Sequence, residues 1–234
     1  MGSKMNAIIL AAGMGTRMRP LTDDRPKCMV VVGGTPIIER QIRYLHEAGI
    51  RDITLVSGYK AEALEPLREK YGVDIVFNDR FDTCNNIYSL YLVRDRMSDT
   101  FVVEGDVFMT ENPFLAPAAD NRYYGVYREG FRKEWQLVTD PDSRLLEVRV
   151  GDGDGVIMSG VSHWMPEASR RICDEITRLV ETQPHDDLFW DDAVLHILPQ
   201  LSISVSPVSG LHEIDTVAER DALERRLLAA NICK

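Results

Sequence analysis

No stretch of this chain stays apolar for the roughly 18 residues that a membrane span requires, and no cationic start leads an apolar segment into a cleavage site. A soluble, cytoplasmic protein is the expectation. Basic residues are also in short supply: 27 Lys and Arg stand against 37 Asp and Glu, a formal net charge of −10. With no basic run along any face, nucleic acid and anionic membrane surfaces are excluded as expected partners. Cysteine is scarce, and Cys28, Cys84, Cys173 and Cys233 lack any paired spacing. Neither a disulfide framework nor a cysteine metal site follows; reduced thiols explain them. Internal repeats and low-complexity tracts are missing as well. Met1-Gly2-Ser3-Lys4 ahead of a second methionine, Met5, reads as a tag remnant. Residues 5–234 are expected to form one domain, with halves at 5–110 and 111–234, long enough to bury a core without staples.

The first half alternates between two periods. Ala7 to Ala12 is an apolar run of strand length, Thr35 to Ala48 has helical spacing up to Gly49, and Ile53 to Ser57 is again strand-like. Lys60 to Tyr71 predicts a helix, Val73 to Phe77 a strand, Ile87 to Met97 a helix, and Phe101 to Glu104 a strand ending at Gly105-Asp106. This alternation predicts an α/β fold with a doubly wound, mostly parallel, Rossmann-like sheet. After Thr110 the pattern changes to short strand candidates, Tyr123 to Arg128, Glu134 to Thr139, Leu145 to Val150 and Val156 to Trp164, interrupted by Gly151-Asp152-Gly153-Asp154-Gly155. They predict an antiparallel section over the substrate. Pro166 to Glu181 and Asp187 to Ile197 read as helices, Ser202 to Val208 as a strand and Thr216 to Leu228 as a closing helix.

The chemistry concentrates in Leu10-Ala11-Ala12-Gly13-Met14-Gly15-Thr16-Arg17-Met18-Arg19-Pro20-Leu21-Thr22, closed by Pro26-Lys27. Gly13 and Gly15 lack a Cβ, so the backbone can approach an anion and present successive N–H groups to phosphates. Arg17 adds a forked donor and Lys27 a compact charge. The spacing excludes a Walker A loop, which needs four residues between its glycines and then Gly-Lys-Ser/Thr, and a dinucleotide fingerprint, which needs a third glycine. This stretch resembles the N-terminal motif of the nucleoside-triphosphate transferase superfamily. The resemblance implies that Leu10, Ala12, Gly13, Met14, Gly15, Thr16, Arg17 and Lys27 bind a nucleoside triphosphate, with Gly58, Tyr59, Asn86, Ser89 and Asp106. Arg17 would hold the β- and γ-phosphates and Lys27 would stabilise transition-state charge. No general base is needed, because a phosphomonoester oxygen is already anionic near neutral pH.

A cation held by carboxylates is the usual partner of such chemistry. The resemblance, rather than spacing, pairs Asp106 with Asp215 as ligands of Mg2+, with Glu104 as a supporting charge. Asp215 also stands where a helix N-cap is wanted, just ahead of the closing helix.

Sugar-nucleotide members of the superfamily carry a Glu-Lys pair in the middle section; here Glu134-Trp135 puts tryptophan in place of the lysine. Ring faces beside carboxylates, in Trp135 and in Asp187-Leu188-Phe189-Trp190-Asp191-Asp192, suit a quaternary ammonium. With Asn85-Asn86, Tyr88 to Val93, Val126 to Glu129 and Ser159 to Ser162, the chain from Met5 onward resembles bacterial CTP:phosphocholine cytidylyltransferases. That likeness implies an acceptor site built from Tyr127, Glu134, Trp135, Phe189, Trp190 and Asp191, with Trp135, Phe189 and Asp191 around the trimethylammonium. It departs from the family at Phe189, where tyrosine is usual. CTP and phosphocholine are the implied partners, and CTP follows from the resemblance alone, since the spacing is equally compatible with UTP. The rivals are 2-aminoethylphosphonate or phosphoethanolamine as acceptor, a sugar 1-phosphate, and a regulatory relative that binds nucleotide without turnover.

Overall fold

The computed structural model describes residues 5–116 and 119–230; Met1 to Lys4 and Cys233 lie outside them. In chain order the elements are β1 (Asn6–Ala11), β2 (Val31–Val32), β3 (Thr35–Pro36), α1 (Ile37–Glu47), β4 (Ile53–Ser57), α2 (Glu65–Tyr71), β5 (Asp74–Phe77), α3 (Asn86–Leu92), β6 (Thr100–Glu104) and β7 (Val107–Met109). They continue with β8 (Asn121–Thr139), β9 (Leu145–Trp164), α4 (Pro166–Thr182), α5 (Trp190–His196), β10 (Ile203–Pro207), β11 (Leu211–Glu213) and α6 (Val217–Ala229). One seven-stranded sheet runs in the order β10-β8-β9-β6-β1-β4-β5. Within it β9 alone runs against its neighbours, so the expected mostly parallel α/β sheet is what forms.

The strand β1 shows why. Every one of its residues is buried, and the period of two sends Ala7, Ile9 and Ala11 to one face and Ile8 and Leu10 to the other. The first face packs on Ile38, Ile42 and Leu45 of α1 and Leu67 of α2; the second packs on α3, α4 and α5 through Leu90, Ile172, Ile176 and Val194. A third cluster forms behind the glycine loop, where Met18 is wholly buried against Phe108, Ile214, Leu223 and Leu227. It fastens the loop to α6.

Several expected boundaries shift for local reasons. The four short strand candidates after Thr110 fuse into the two long strands β8 and β9, because bulges absorb the glycines that read as breaks. Helix α1 starts at Ile37 because Thr35 and Pro36 pair with Val32 and Val31. Helix α2 starts only at Glu65, after a 3-10 turn over Ala61–Ala63, and α3 ends at Leu92 before another over Arg94–Arg96. Asp187 to Phe189 do not join α5: Phe189 is extended, and its N–H donates to the Asp192 carboxylate at 2.8 Å, which starts the helix at Trp190. The pairing of β7 with β11, absent from the sequence expectations, brings residues 107–109 against 211–213.

Gln41 carries the fold into the site. It is wholly buried in α1, and its amide donates to the carbonyls of Glu104 at 2.9 Å and Val107 at 2.8 Å, clamping the β6–β7 turn that presents Asp106. Gln41→Leu keeps the volume but strands two carbonyls, so we expect a loss of about 1–3 kcal/mol, measured by urea unfolding; unchanged stability would remove Gln41 from this role.

Candidate active site

The carboxyl ends of β1, β5 and β6 open into one cleft, where ligands sit in sheets of this kind. Two cavities share it, of about 230 Å³ and about 770 Å³. Gly13, Lys27, Asn86, Glu104, Asp106 and Phe189 line both, so the two are compartments of one site.

The glycine loop leaves β1 at Ala12. Gly15 takes a left-handed φ of 58°, and a Cβ there would meet the Lys27 Cβ at 2.7 Å, so glycine lets the lysine pass beneath the loop. Thr22 ties the far side by donating its hydroxyl to the Gly15 carbonyl at 2.9 Å. Lys27 then reaches the centre, where its Nζ donates to Asp106 Oδ2 and to Asp215 Oδ1, both at 2.6 Å. Arg17 pairs with the same Asp215 oxygen at 2.9 Å. Burial opposes the lysine charge, but the two carboxylates outweigh it and raise its pKa.

Asp215 does not cap α6. Thr216 does, through a reciprocal pair of bonds with Glu219, which leaves the Asp215 carboxylate for the centre. The ribbon of β7 and β11 sets the geometry: Val107 faces Glu213, and the Ile214 N–H donates to the Asp106 carbonyl at 3.2 Å. As a result Asp106, Glu213 and Asp215 bring carboxylate oxygens within 4.8 Å of one another. Glu213 was not singled out in the sequence, although Glu213-x-Asp215 in an extended segment puts both side chains on one face. Its carboxyl is pushed up by burial and by the neighbouring Asp106 and Asp215 charges. Asp106 Oδ1 is buried without a hydrogen-bond partner. An oxygen-only cluster with a spare buried acceptor fits a hard divalent cation such as Mg2+.

The smaller cavity is walled by Leu10 to Gly13 on one side and by Asn78, Phe81 and Asn85 to Ser89 on the other. Ser89 Oγ accepts from Asn78 Nδ2 at 2.9 Å. Gly58 and Tyr59 brace this wall and do not line it: the Tyr59 N–H donates to the Ala12 carbonyl at 3.0 Å and its hydroxyl to that of Thr22 at 3.0 Å. Met14 lines neither cavity, and the Ser57 hydroxyl is committed to the Val76 carbonyl.

The larger cavity holds Thr16, Arg17, Glu134, Trp135, Phe189 and Asp191 with the carboxylate centre. Trp135 and Phe189, more than 50 residues apart in sequence, meet with ring centroids 5.8 Å apart and planes at 81°. Trp190 is only 3% exposed; it packs on Tyr123 and Trp164, and its indole N–H donates to Glu104 Oε1 at 3.2 Å. That packing leaves Trp135 and Phe189 as the open rings. Asn86 joins the compartments by donating its Nδ2 to Glu104 Oε1 and accepting the backbone N–H of Trp190 at its Oδ1, each at 2.9 Å. Burial, with Asp106 and Asp191 nearby, pushes the Glu104 carboxyl well above its usual range. Burial also pushes Asp191 up to about 7, against the Tyr123 hydroxyl that donates to it at 2.8 Å. Tyr127 is 59% exposed and lines neither cavity, so the structure removes it from the expected acceptor site. It falls on the outward side of the β8 alternation.

Carboxyl ends of central parallel strands that carry a glycine loop, a lysine between two aspartates and a two-compartment cleft define a nucleotidyltransferase. The sequence matches the MobA-like NTP transferase domain over residues 7–129, and the chain belongs to that family. Among its full-length relatives are cytidylyltransferases. A choline-phosphate cytidylyltransferase of Streptococcus pneumoniae is 39% identical over 97% of this chain and 100% of its own length. A solved structure of CTP:phosphocholine cytidylyltransferase from the same organism matches with a TM-score of 0.93, over 96% of this chain and 100% of that one. A 2-aminoethylphosphonate cytidylyltransferase of Lancefieldella rimae is 34% identical over 94% of this chain and 92% of its own length. No helix among the described residues is long and apolar enough to cross a membrane.

The close approach at Gly58 yields a test of the smaller cavity. A Cβ there would meet the Ala12 carbonyl oxygen at 2.7 Å and the Phe81 Cβ at 2.5 Å. Overpacking of this kind costs about 1–3 kcal/mol, so Gly58→Ala should weaken nucleotide binding by about tenfold or more while circular dichroism stays native. Unchanged nucleotide affinity by calorimetry would detach this wall from the nucleotide.

Proposed function

We propose that this protein transfers CMP from CTP to phosphocholine, giving CDP-choline and pyrophosphate. The observation that carries this reading is the open right-angled pair Trp135 and Phe189 beside Asp191, in the same cavity as the Lys27 centre. Ring faces next to a carboxylate bind a quaternary ammonium by cation–π attraction and charge. The relatives acting on choline phosphate support the same acceptor.

CTP lies with its nucleoside in the smaller cavity and its phosphates over Gly13, Gly15 and Arg17. Phosphocholine enters the larger cavity with its cationic head on Trp135 and Phe189. One of its phosphate oxygens attacks the α-phosphorus in line, and the bond to the bridging oxygen of pyrophosphate breaks. Lys27 meets the charge that develops on the α-phosphate, and Arg17 follows the departing pyrophosphate. Asp106 and Asp215, with Glu213, would hold Mg2+, which when bound supplies further positive charge to the phosphate oxygens. The nucleophile arrives ionised, so no side chain takes a proton.

A primary-amine acceptor is the second reading, favoured by the carboxylates Glu134 and Asp191 in the same cavity and by the aminoethylphosphonate relative. Pyrophosphate release with Mg2+ and CTP, against phosphocholine, 2-aminoethylphosphonate and phosphoethanolamine, separates them. Phosphocholine should give the highest kcat/KM; preference for an amine reassigns the rings to packing, and release with no acceptor at all overturns the transferase. Lys27→Ala should lower kcat by about 100- to 1,000-fold, the size of loss typical for one charge-stabilising donor.

Asp191 adds a pH dependence. Held near 7 by burial, with Tyr123, Asp192 and Glu104 as its polar neighbours, it is neutral below that pH and anionic above. The anion attracts the cationic head, so the KM for phosphocholine should fall as pH rises from 6 to 8, beyond the change due to the acceptor's own phosphate. Asp191→Asn removes that extra dependence; an identical pH profile in the variant would exclude Asp191 from the head-group site.

A further inference from the structure

The larger cavity brings groups of both signs around an acceptor that carries a phosphate. Six carboxyl groups line it, at Glu104, Asp106, Glu134, Asp191, Glu213 and Asp215, the carboxyls of Glu104, Asp191 and Glu213 being held above the usual range, together with the four cations Arg17, Lys27, Arg132 and Lys133. Arg17 and Lys27 are already paired with Asp106 and Asp215. Among the described residues the side chains of Arg132 and Lys133 form no ion pair or hydrogen bond, and both are exposed. They are the unspent positive charge of this compartment.

Their presence there is built by the backbone. In a regular strand alternate side chains face opposite sides, yet the consecutive residues Arg132, Lys133, Glu134 and Trp135 all line the one cavity. The register of β8 on β9 shifts between Arg128 and Phe131 and again between Phe131 and Glu134. Gly130 takes a φ of 60° and Lys133 a φ of 54°, a conformation an L side chain adopts at a cost. Two aspartates of the facing strand hold it: Asp154 Oδ1 accepts the Gly130 N–H at 2.6 Å, and Asp152 Oδ1 accepts the Lys133 N–H at 2.8 Å. Bulges re-aim side chains in this way. The repeated Gly-Asp of residues 151–155, which read as a turn in sequence, is the clasp.

We infer that Arg132 and Lys133 grip the phosphate of the acceptor while Trp135, two residues further on, receives its cationic head, and that Asp152 positions the pair. The inference rests on the acceptor reading above and deepens it. A zwitterionic acceptor presents its anion and its cation a few bonds apart, and this short segment offers the complementary charge and the ring side by side. A phosphonate in the same place meets the same two cations. Arg132 gives a forked donor and Lys133 a point charge, a combination suited to a tetrahedral dianion.

The test compares the wild type with Arg132→Gln, Lys133→Gln and the double variant, reading KM for phosphocholine, KM for CTP and inhibition by choline, which has the head but no phosphate. The double variant should raise the phosphocholine KM at least tenfold, with choline inhibition and the CTP KM within twofold of wild type. Asp152→Ala should raise the phosphocholine KM with kcat little changed, and Arg132→Lys should recover part of the Arg132→Gln loss. An unchanged phosphocholine KM in the double variant, or a rise confined to CTP, overturns the clamp. Choline inhibition lost together with phosphocholine binding also overturns it, since that marks a disturbed head-group site. Wild-type protein that turns over only an amine acceptor refutes the choline reading, and the same comparison then runs on that acceptor with ethylamine or ethanolamine in place of choline. Wild-type protein that turns over no acceptor refutes both.

Discussion

The ammonium of Lys27, held at 2.6 Å from both Asp106 and Asp215, is the contact on which the site depends. It joins residues 79 and 188 positions apart in the chain, one at the end of the glycine loop, one beyond β6 and one ahead of α6. Two carboxylates this close repel unless a cation lies between them, and a half-buried lysine is costly unless anions surround it. Each makes the other tolerable. The proposed transfer draws on the same three groups, so in that reading the stability of the centre and its chemistry rest on one electrostatic arrangement.

The surrounding fold serves that arrangement by removing freedom. Gln41 fixes the carbonyls on either side of Asp106, the β7–β11 ribbon fixes Glu213 and Asp215, and the buried Met18 fixes the loop from behind. Gln41 and Met18 line neither cavity. They act through the backbone, where buried polar groups must find partners and a satisfied carbonyl cannot drift. Preorganisation of this type lets charged groups act on a transition state without reorganising at the moment of reaction.

Around the larger cavity the fold works by a different device, irregularity. The long strands β8 and β9 give a rigid arm, and bulges within it rotate successive side chains toward the cleft. Glycines at positive φ and aspartates clasping free N–H groups absorb the cost. Asn86 links this cavity to the smaller one through Glu104 and Trp190, so the two compartments share one framework of hydrogen bonds. The glycine loop and Lys27 fall within the span that matches the family, residues 7–129, whereas most of the arm lies beyond it.

Much of this was legible in sequence because it depends on local periodicity. The alternation of strand and helix up to Glu104, the glycine loop with Arg17 and Lys27, and Asp106 at a strand end all follow from short-range patterns that burial on two faces imposes. The Thr216-x-x-Glu219 cap was equally readable and would have freed Asp215 from its rival role. What only the tertiary structure decided were contacts between distant segments. Strands of three residues such as β7 and β11 are too short to show a period, and their pairing spans more than 100 residues, so the third carboxylate at Glu213 emerged only when they met. The same holds for rings: Trp135, Phe189 and Trp190 are alike as sequence symbols, but Trp164 and Tyr123 cover Trp190 and leave the other two open. Sequence determined which chemistry was available; packing decided which groups face the cleft, because burial is set by the neighbours that long-range folding brings.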